Sequence, residues 1–192
     1  MRLLATVSSI AVLLTIPAWA QEGNPAGMSP GTPQAAPGVP APNQPNQPDR
    51  LFIHEATIGG MAEVELGKLT EQKGHSEAVK DFARRMVEDH TRANERLMSL
   101  AKQDGVVLPD VLDREHRTMH IELEKSSGAE FDHAYIQGQV QDHQKAAQLL
   151  EWEIGSGQDT QLKSFAAETL PVVLQHLQMA RNLQAKMMGK GP

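Results

Sequence analysis

Across residues 49–188 the apolar side chains recur at steps of three and four, and strand-like alternation is absent. That period restricts the chain to amphipathic helices, each burying one stripe. Punctuation divides the run. A first helix over 49–73 stops at Gly74. Ser76 caps a second that runs to about residue 104 and stops at Gly105. Val106 to Pro109 make a short apolar crossing, and Asp110 caps a shorter third helix ending near Ser126. Ser127 and Glu130 have the spacing of a capping box opening the fourth helix, which stops at the Gly155-Ser156-Gly157 turn. Asp159 caps the fifth, which runs to about residue 188. Pro171 inside it removes one backbone hydrogen bond and predicts a kink. Four long helices, one short helix and short connections predict an all-α, up-and-down four-helix bundle with a kinked last helix.

The chain before this domain is of two kinds. Met1-Arg2, the mostly apolar run 3–16, Pro17 and Ala18-Trp19-Ala20 read as a secretory signal peptide over 1–20, cleaved after Ala20. The run is too short to span a bilayer, which takes roughly 20 apolar residues. Residues 21–48 hold eight Pro, four Gly and a single charge, Glu22. Such a segment buries too little apolar surface to offset its ordering entropy, so it reads as a disordered Pro/Gly-rich tether. The expected location is periplasmic or secreted, with no membrane span in the mature chain.

Three of the core stripes carry a histidine. The second helix lines up Val79, Phe82, Met86, His90, Ala93, Leu97 and Leu100. The fourth lines up Ile136, Val140, His143, Ala147, Leu150 and Ile154. The fifth lines up Leu162, Phe165, Thr169, Val172, His176, Met179 and Leu183. On the first helix, the set Phe52, Ala56, Gly59, Glu63, Leu66 puts Glu63 inward. A competing set, Leu51, Ile58, Ala62, Leu66, Leu69, leaves it at the boundary. An Asp precedes two of the inward histidines, Asp89 before His90 and Asp142 before His143. Adjacent helical residues point about 100° apart, so such an Asp is placed to orient a histidine on a neighbouring helix. Two readings follow. His90, His143 and His176, with Glu63 and Asp89, converge on a transition metal ion, for which Zn, Cu, Mn and Fe fit about equally. Otherwise each histidine hydrogen-bonds a buried polar group and fixes helix register.

The segments FARRMVEDHTRANERL (82–97), FDHAYIQGQVQDHQKAAQLL (131–150) and LKSFAAETLPVVLQHLQMARNL (162–183) resemble an exported bacterial family, domain of unknown function 4142. GGMAEVELGKLTEQKG (59–74) is similar to its first helix. The resemblance spans about residues 50–186. It implies a ferritin-like bundle and an exported location, and its recurrent positions fall on Glu63, Asp89, His90, His143 and His176. It supplies no activity. The di-iron members of the wider ferritin-like group use two Glu-x-x-His motifs. This chain has one, Glu130 to His133, in the first turn of the fourth helix.

Composition narrows the function further. With no cysteine there is no disulfide framework, thiolate metal site or Cys nucleophile. A formal net charge of −6 and 4% aromatic residues argue against nucleic-acid binding. No Gly-x-Ser-x-Gly, phosphate-cradling loop or dinucleotide fingerprint is present. His116 and His120 share a face of the short helix and could hold a surface metal, but the stripe Leu112, His116, Met119, Leu123 explains His116 as core. The methionines are scattered at core spacing, as gap-fillers are. Gly59-Gly60 permits close helix approach. The functional expectation is an exported bundle holding a metal ion through its inward histidines. The alternative is a non-enzymatic envelope stress or chaperone-like module that binds a protein partner.

Overall fold

The computed structural model describes residues 44–189; the expected signal peptide and most of the expected tether lie outside them. Five helices follow in order: α1 (Gln47–Lys73), α2 (Glu77–Gln103), α3 (Arg114–Lys125), α4 (Gly128–Ser156) and α5 (Thr160–Met187). The four long ones form an all-α up-and-down bundle. α1 packs along α2 and α4 along α5; the two hairpins meet through α1 with α4 and α2 with α5, while α3 crosses onto α4. No described helix is long and apolar enough to cross a membrane.

The helix ends show why the chain breaks where it does. Asn46 caps α1 in a capping box with Asp49, so the helix begins inside the segment expected as tether, with Pro48 in its first turn. Ser76 and Asp159 cap α2 and α5 as the sequence indicates. Two caps differ. α3 starts after Asp113, whose side chain accepts from the His116 amide at 2.8 Å, because Pro109 and the buried Leu112 keep the preceding stretch extended. Ser127 precedes α4 without a side-chain cap, and Glu130 is exposed. Gly128 enters the helix at φ 61°, a left-handed turn that carries the Ser127 hydroxyl away from the free amides. α5 runs unbroken through the exposed Pro171.

Two buried carboxylates tie the hairpins together. Asp132 of α4 accepts from the His75 and Ser76 amides at 2.8 Å each, holding the α1–α2 turn. Asp49 of α1 accepts from the Gln158 amide at 2.9 Å and the Asp159 amide at 3.3 Å, holding the α4–α5 turn. Each hairpin thus carries the clamp for the other's turn.

The apolar core falls into two blocks. One gathers Phe52, Ile53, Leu97, Leu150, Leu162 and Phe165; the other gathers Leu66, Phe82, Met86, Phe131, Tyr135 and Ile136. On α1 the buried face takes from both stripes: Phe52 and Glu63 of the first, at 0% and 6% exposed, and Ile58 and Ala62 of the second, while Leu51 is exposed. On α5 the inward residue is Val173 and not Val172. α1 approaches α2 closely at Gly67, where an added Cβ would come within 2.7 Å of Val87 Cγ2.

At the capped end, Glu153 lies wholly buried beside Asp49 and Asp159. Burial, then these two carboxylates, push its pKa up to about 8, against a weaker pull from Lys163. In the unfolded chain it ionises at its ordinary pKa. Stability is therefore lost as pH rises from about 4.5 through about 8. Glu153→Gln removes that loss. Relative to the parent it gains roughly 2–4 kcal/mol at pH 9 over pH 5 in denaturant unfolding. Identical pH profiles for the two proteins would refute the assignment.

Candidate metal centre

The three inward histidines occupy the level between the two apolar blocks. His90 lies on α2 between Met86 and Leu97, His143 on α4 between Ile136 and Ala147, and His176 on α5 between Val173 and Ala180. Their rings form a near-equilateral triangle, with centroids 5.4, 5.5 and 5.4 Å apart. His90 Nε2 and His143 Nε2 are 3.4 Å apart, as are His143 Nε2 and His176 Nδ1. Among the described residues no other group of three His, Asp or Glu brings its ligand atoms within such reach.

On His143 and His176 the outer nitrogen fixes which way the ring presents its lone pair. His143 Nδ1 donates to the Gln139 carbonyl oxygen at 3.0 Å. His176 Nε2 donates to Asp89 Oδ2 at 2.9 Å. A ring whose outer nitrogen carries the hydrogen offers an acceptor at the inner one. His143 Nε2 and His176 Nδ1 therefore face each other as two acceptors, with His90 Nε2 beside them. Burial drives all three rings towards neutrality. The His90 pKa falls to about 3, through burial and then the other two rings. That of His143 falls to about 4, burial outweighing its carbonyl partner. That of His176 also falls to about 4, burial outweighing Asp89. Burial opposes the charge of Asp89, but the His176 hydrogen bond, that ring's charge and the charges of Arg85 and Arg92 together hold its pKa below the ordinary value. Arg85 Nε stands 3.2 Å from Asp89 Oδ2, and Arg92 pairs with Oδ1.

The two carboxylates of the sequence reading do not join this triangle. Asp89 orients a histidine of a neighbouring helix, as its place before His90 implies. Glu63 lies behind His143, with Oε1 3.4 Å from Nδ1, and Oε2 accepts from Gln139 Nε2 at 2.7 Å. Burial chiefly, and then the charge of Asp142, push the Glu63 pKa up to about 8 against the Gln139 hydrogen bond. A buried neutral carboxyl is a poor first ligand and a suitable support. Sequence reasoning missed Gln139, which is 1% exposed and serves both Glu63 and His143. Its place one turn before His143, on the same face, was the available signal.

Asp142, the counterpart of Asp89, faces α3 instead: its Oδ2 is 4.0 Å from His116 Nε2. His116 and His120 do not form a paired site. His116 turns inward, and His120 Nδ1 lies 3.8 Å from Glu124. Glu130 and His133 are exposed at the start of α4. A cavity of about 320 Å³ opens beside the triangle, and of the three histidines only His90 borders it. His143 and His176 are each 1% exposed, whereas His90 is half-buried.

Residues 34–183 match the model of the family described as Domain of unknown function (DUF4142). The chain belongs to this family. A DUF305 fragment from Deinococcus radiodurans, solved by crystallography, has a similar fold, with a TM-score of 0.66 and 9% identity over 74% of this chain and 99% of that one. At that identity the likeness is one of helical architecture alone. No curated protein matches the chain. The DUF4142 match covers every residue of the triangle and its supports.

In metal-free protein at about pH 6, long-range ¹H–¹⁵N spectra should show His143 as the neutral Nδ1–H tautomer and His176 as the neutral Nε2–H tautomer. A doubly protonated ring at that pH would overturn the arrangement.

Proposed function

We propose that this protein is an exported bundle that holds one transition metal ion through His90, His143 and His176. One observation carries the reading: the neutral His143 and His176 turn acceptor nitrogens towards each other at 3.4 Å, and His90 Nε2 stands 3.4 Å from that same His143 nitrogen. Facing lone pairs repel, and a cation at the centre removes the repulsion. An ion held tetrahedrally at roughly 2.0–2.1 Å from imidazole nitrogen separates its ligands by about 3.4 Å. The observed spacing fits that figure. Asp89 behind His176, and Gln139 with Glu63 behind His143, supply the outer hydrogen bonds that ligating histidines commonly have. Three protein ligands leave a fourth position, which in structural zinc sites is also taken by protein. The Ala18-Trp19-Ala20 cleavage pattern and the Pro-rich segment 21–48 support export and a tether ahead of the bundle.

The test is elemental analysis of the protein purified from the periplasm without chelator or affinity tag, beside the His90/His143/His176→Ala variant. The expected result is near-stoichiometric metal in the parent and none in the folded variant. Metal in neither, with no melting shift on adding Fe, Cu, Zn or Mn, would leave the histidines as register-fixing core groups. It would favour the partner-binding alternative.

Asp89→Asn tests the support separately. It keeps an acceptor for His176 but loses the charge that makes the ring a stronger donor to metal. Metal affinity should fall about 10–100-fold in competition with a chromophoric chelator, with the fold intact. Unchanged affinity would remove Asp89 from the site.

A further inference from the structure

The cavity beside the histidines has chemistry of its own. Its inner wall is apolar, built from Leu97, Leu150, Phe165 and Val173, all buried. Glu55 and Glu115 stand exposed on its lining, and Lys145, the lining cation, is shared between Glu115 at 2.5 Å and Asp142 at 3.6 Å. The lining therefore carries an excess of carboxylates over cations.

Asp142 and His116 also line this cavity, and they are left incompletely satisfied. The Asp142 side chain is 10% exposed, so nine-tenths of it is withdrawn from water. Its closest donors are Lys145 Nζ, 3.6 Å from Oδ1, and His116 Nε2, 4.0 Å from Oδ2; both are too far for a hydrogen bond. His116 Nδ1 is engaged with Asp113 Oδ1 at 2.9 Å, which puts its hydrogen on that side. In the neutral ring Nε2 is then an acceptor. Asp142 Oδ2 and His116 Nε2 thus face each other across 4.0 Å, and Asp142 Oδ1 is buried with no hydrogen-bond partner. Leaving a nearly buried carboxylate without hydrogen bonds is costly, and such a group needs an explanation.

We propose that this cavity binds a small organic ammonium ion with a short apolar body. One ammonium nitrogen at about 2.8–3.0 Å from the Asp142 carboxylate gives it the charge-assisted hydrogen bond it lacks, and the neutral His116 ring offers a second acceptor at Nε2. The hydrocarbon part lies against Leu97, Leu150, Phe165 and Val173. The volume sits at the small end of the roughly 300–1,000 Å³ range for ligand pockets. A bare metal ion is the poorer occupant: it would find two protein donors here and leave the apolar wall uncovered. The inference is independent of the three-histidine metal site.

The experiment is calorimetric titration of the chelator-treated protein near neutral pH with n-hexylammonium, n-hexanol and hexanoate. Hexylammonium should bind at least about tenfold more tightly than hexanol, and hexanoate more weakly still. Asp142→Asn should weaken the ammonium about tenfold. Gly59→Leu tests the location. Gly59 lines the cavity, and a Cβ added there meets nothing within 4 Å, so a leucine grows into the space while favouring the helix. It should abolish binding, keep the circular dichroism of the parent and leave the melting temperature no lower than the parent's. Hexanol binding as tightly as the ammonium would show a merely apolar cavity and overturn the proposal. So would ammonium binding indifferent to Gly59→Leu or to Asp142→Asn, or no binding of any probe. If Gly59→Leu fails to fold, the hexanol comparison and Asp142→Asn still decide. None of these results depends on whether the histidines hold metal.

Discussion

Two buried carboxylates, exchanged between the hairpins, set the frame on which everything else depends. Asp132 reaches from α4 to the α1–α2 turn, and Asp49 from α1 to the α4–α5 turn. Helix packing by apolar ridges tolerates sliding by a turn, since leucines and phenylalanines interlock in more than one register. A buried carboxylate does not. Its ionised oxygens must meet their particular amides or carry an unmet desolvation cost. The pair therefore pins both hairpins along the bundle axis. Imidazoles from α2, α4 and α5 meet at one level only because that register is fixed.

At that level the bundle gives up apolar packing for a polar layer. Phe52 and Phe165 meet edge to face on one side of it, and Phe82 and Tyr135 on the other, each pair with ring centroids 6.2 Å apart. Three neutral rings between such blocks are poorly matched to the core unless their outer nitrogens are hydrogen-bonded. His143 and His176 meet that requirement through a main-chain carbonyl and Asp89. The same arrangement leaves the inner nitrogens of these two rings as acceptors facing each other at 3.4 Å, with His90 Nε2 equally close to that of His143. In the neighbouring cavity Asp142 Oδ2 and His116 Nε2 stand 4.0 Å apart, and Asp142 Oδ1 is buried without a hydrogen-bond partner.

The helices, their order and most of their ends were written in the sequence. Helix-period apolar spacing, together with Ser76, Asp159, Gly74 and Gly157 at the ends, expresses local backbone preferences that hold whatever the neighbours do. So does the inward direction of His90, His143 and His176, since a residue three or four steps from core residues shares their face. The cap of α3 was misplaced by three residues because the burial of Leu112, a tertiary event, keeps Asp110 out of the helix. The capping box at Ser127 failed because Gly128 adopts a positive φ that the motif does not anticipate. The sequence could not say what the three histidines do to one another. It placed Glu63 and Asp89 near them, yet only the packing of four helices put Asp89 on the outer nitrogen of His176 and Glu63 behind His143. A single chain's periodicity determines which face a side chain takes. The distance between side chains on different helices, and hence which nitrogens face each other, follows from helix rotation and register. These are set by long-range contacts such as those of Asp49 and Asp132.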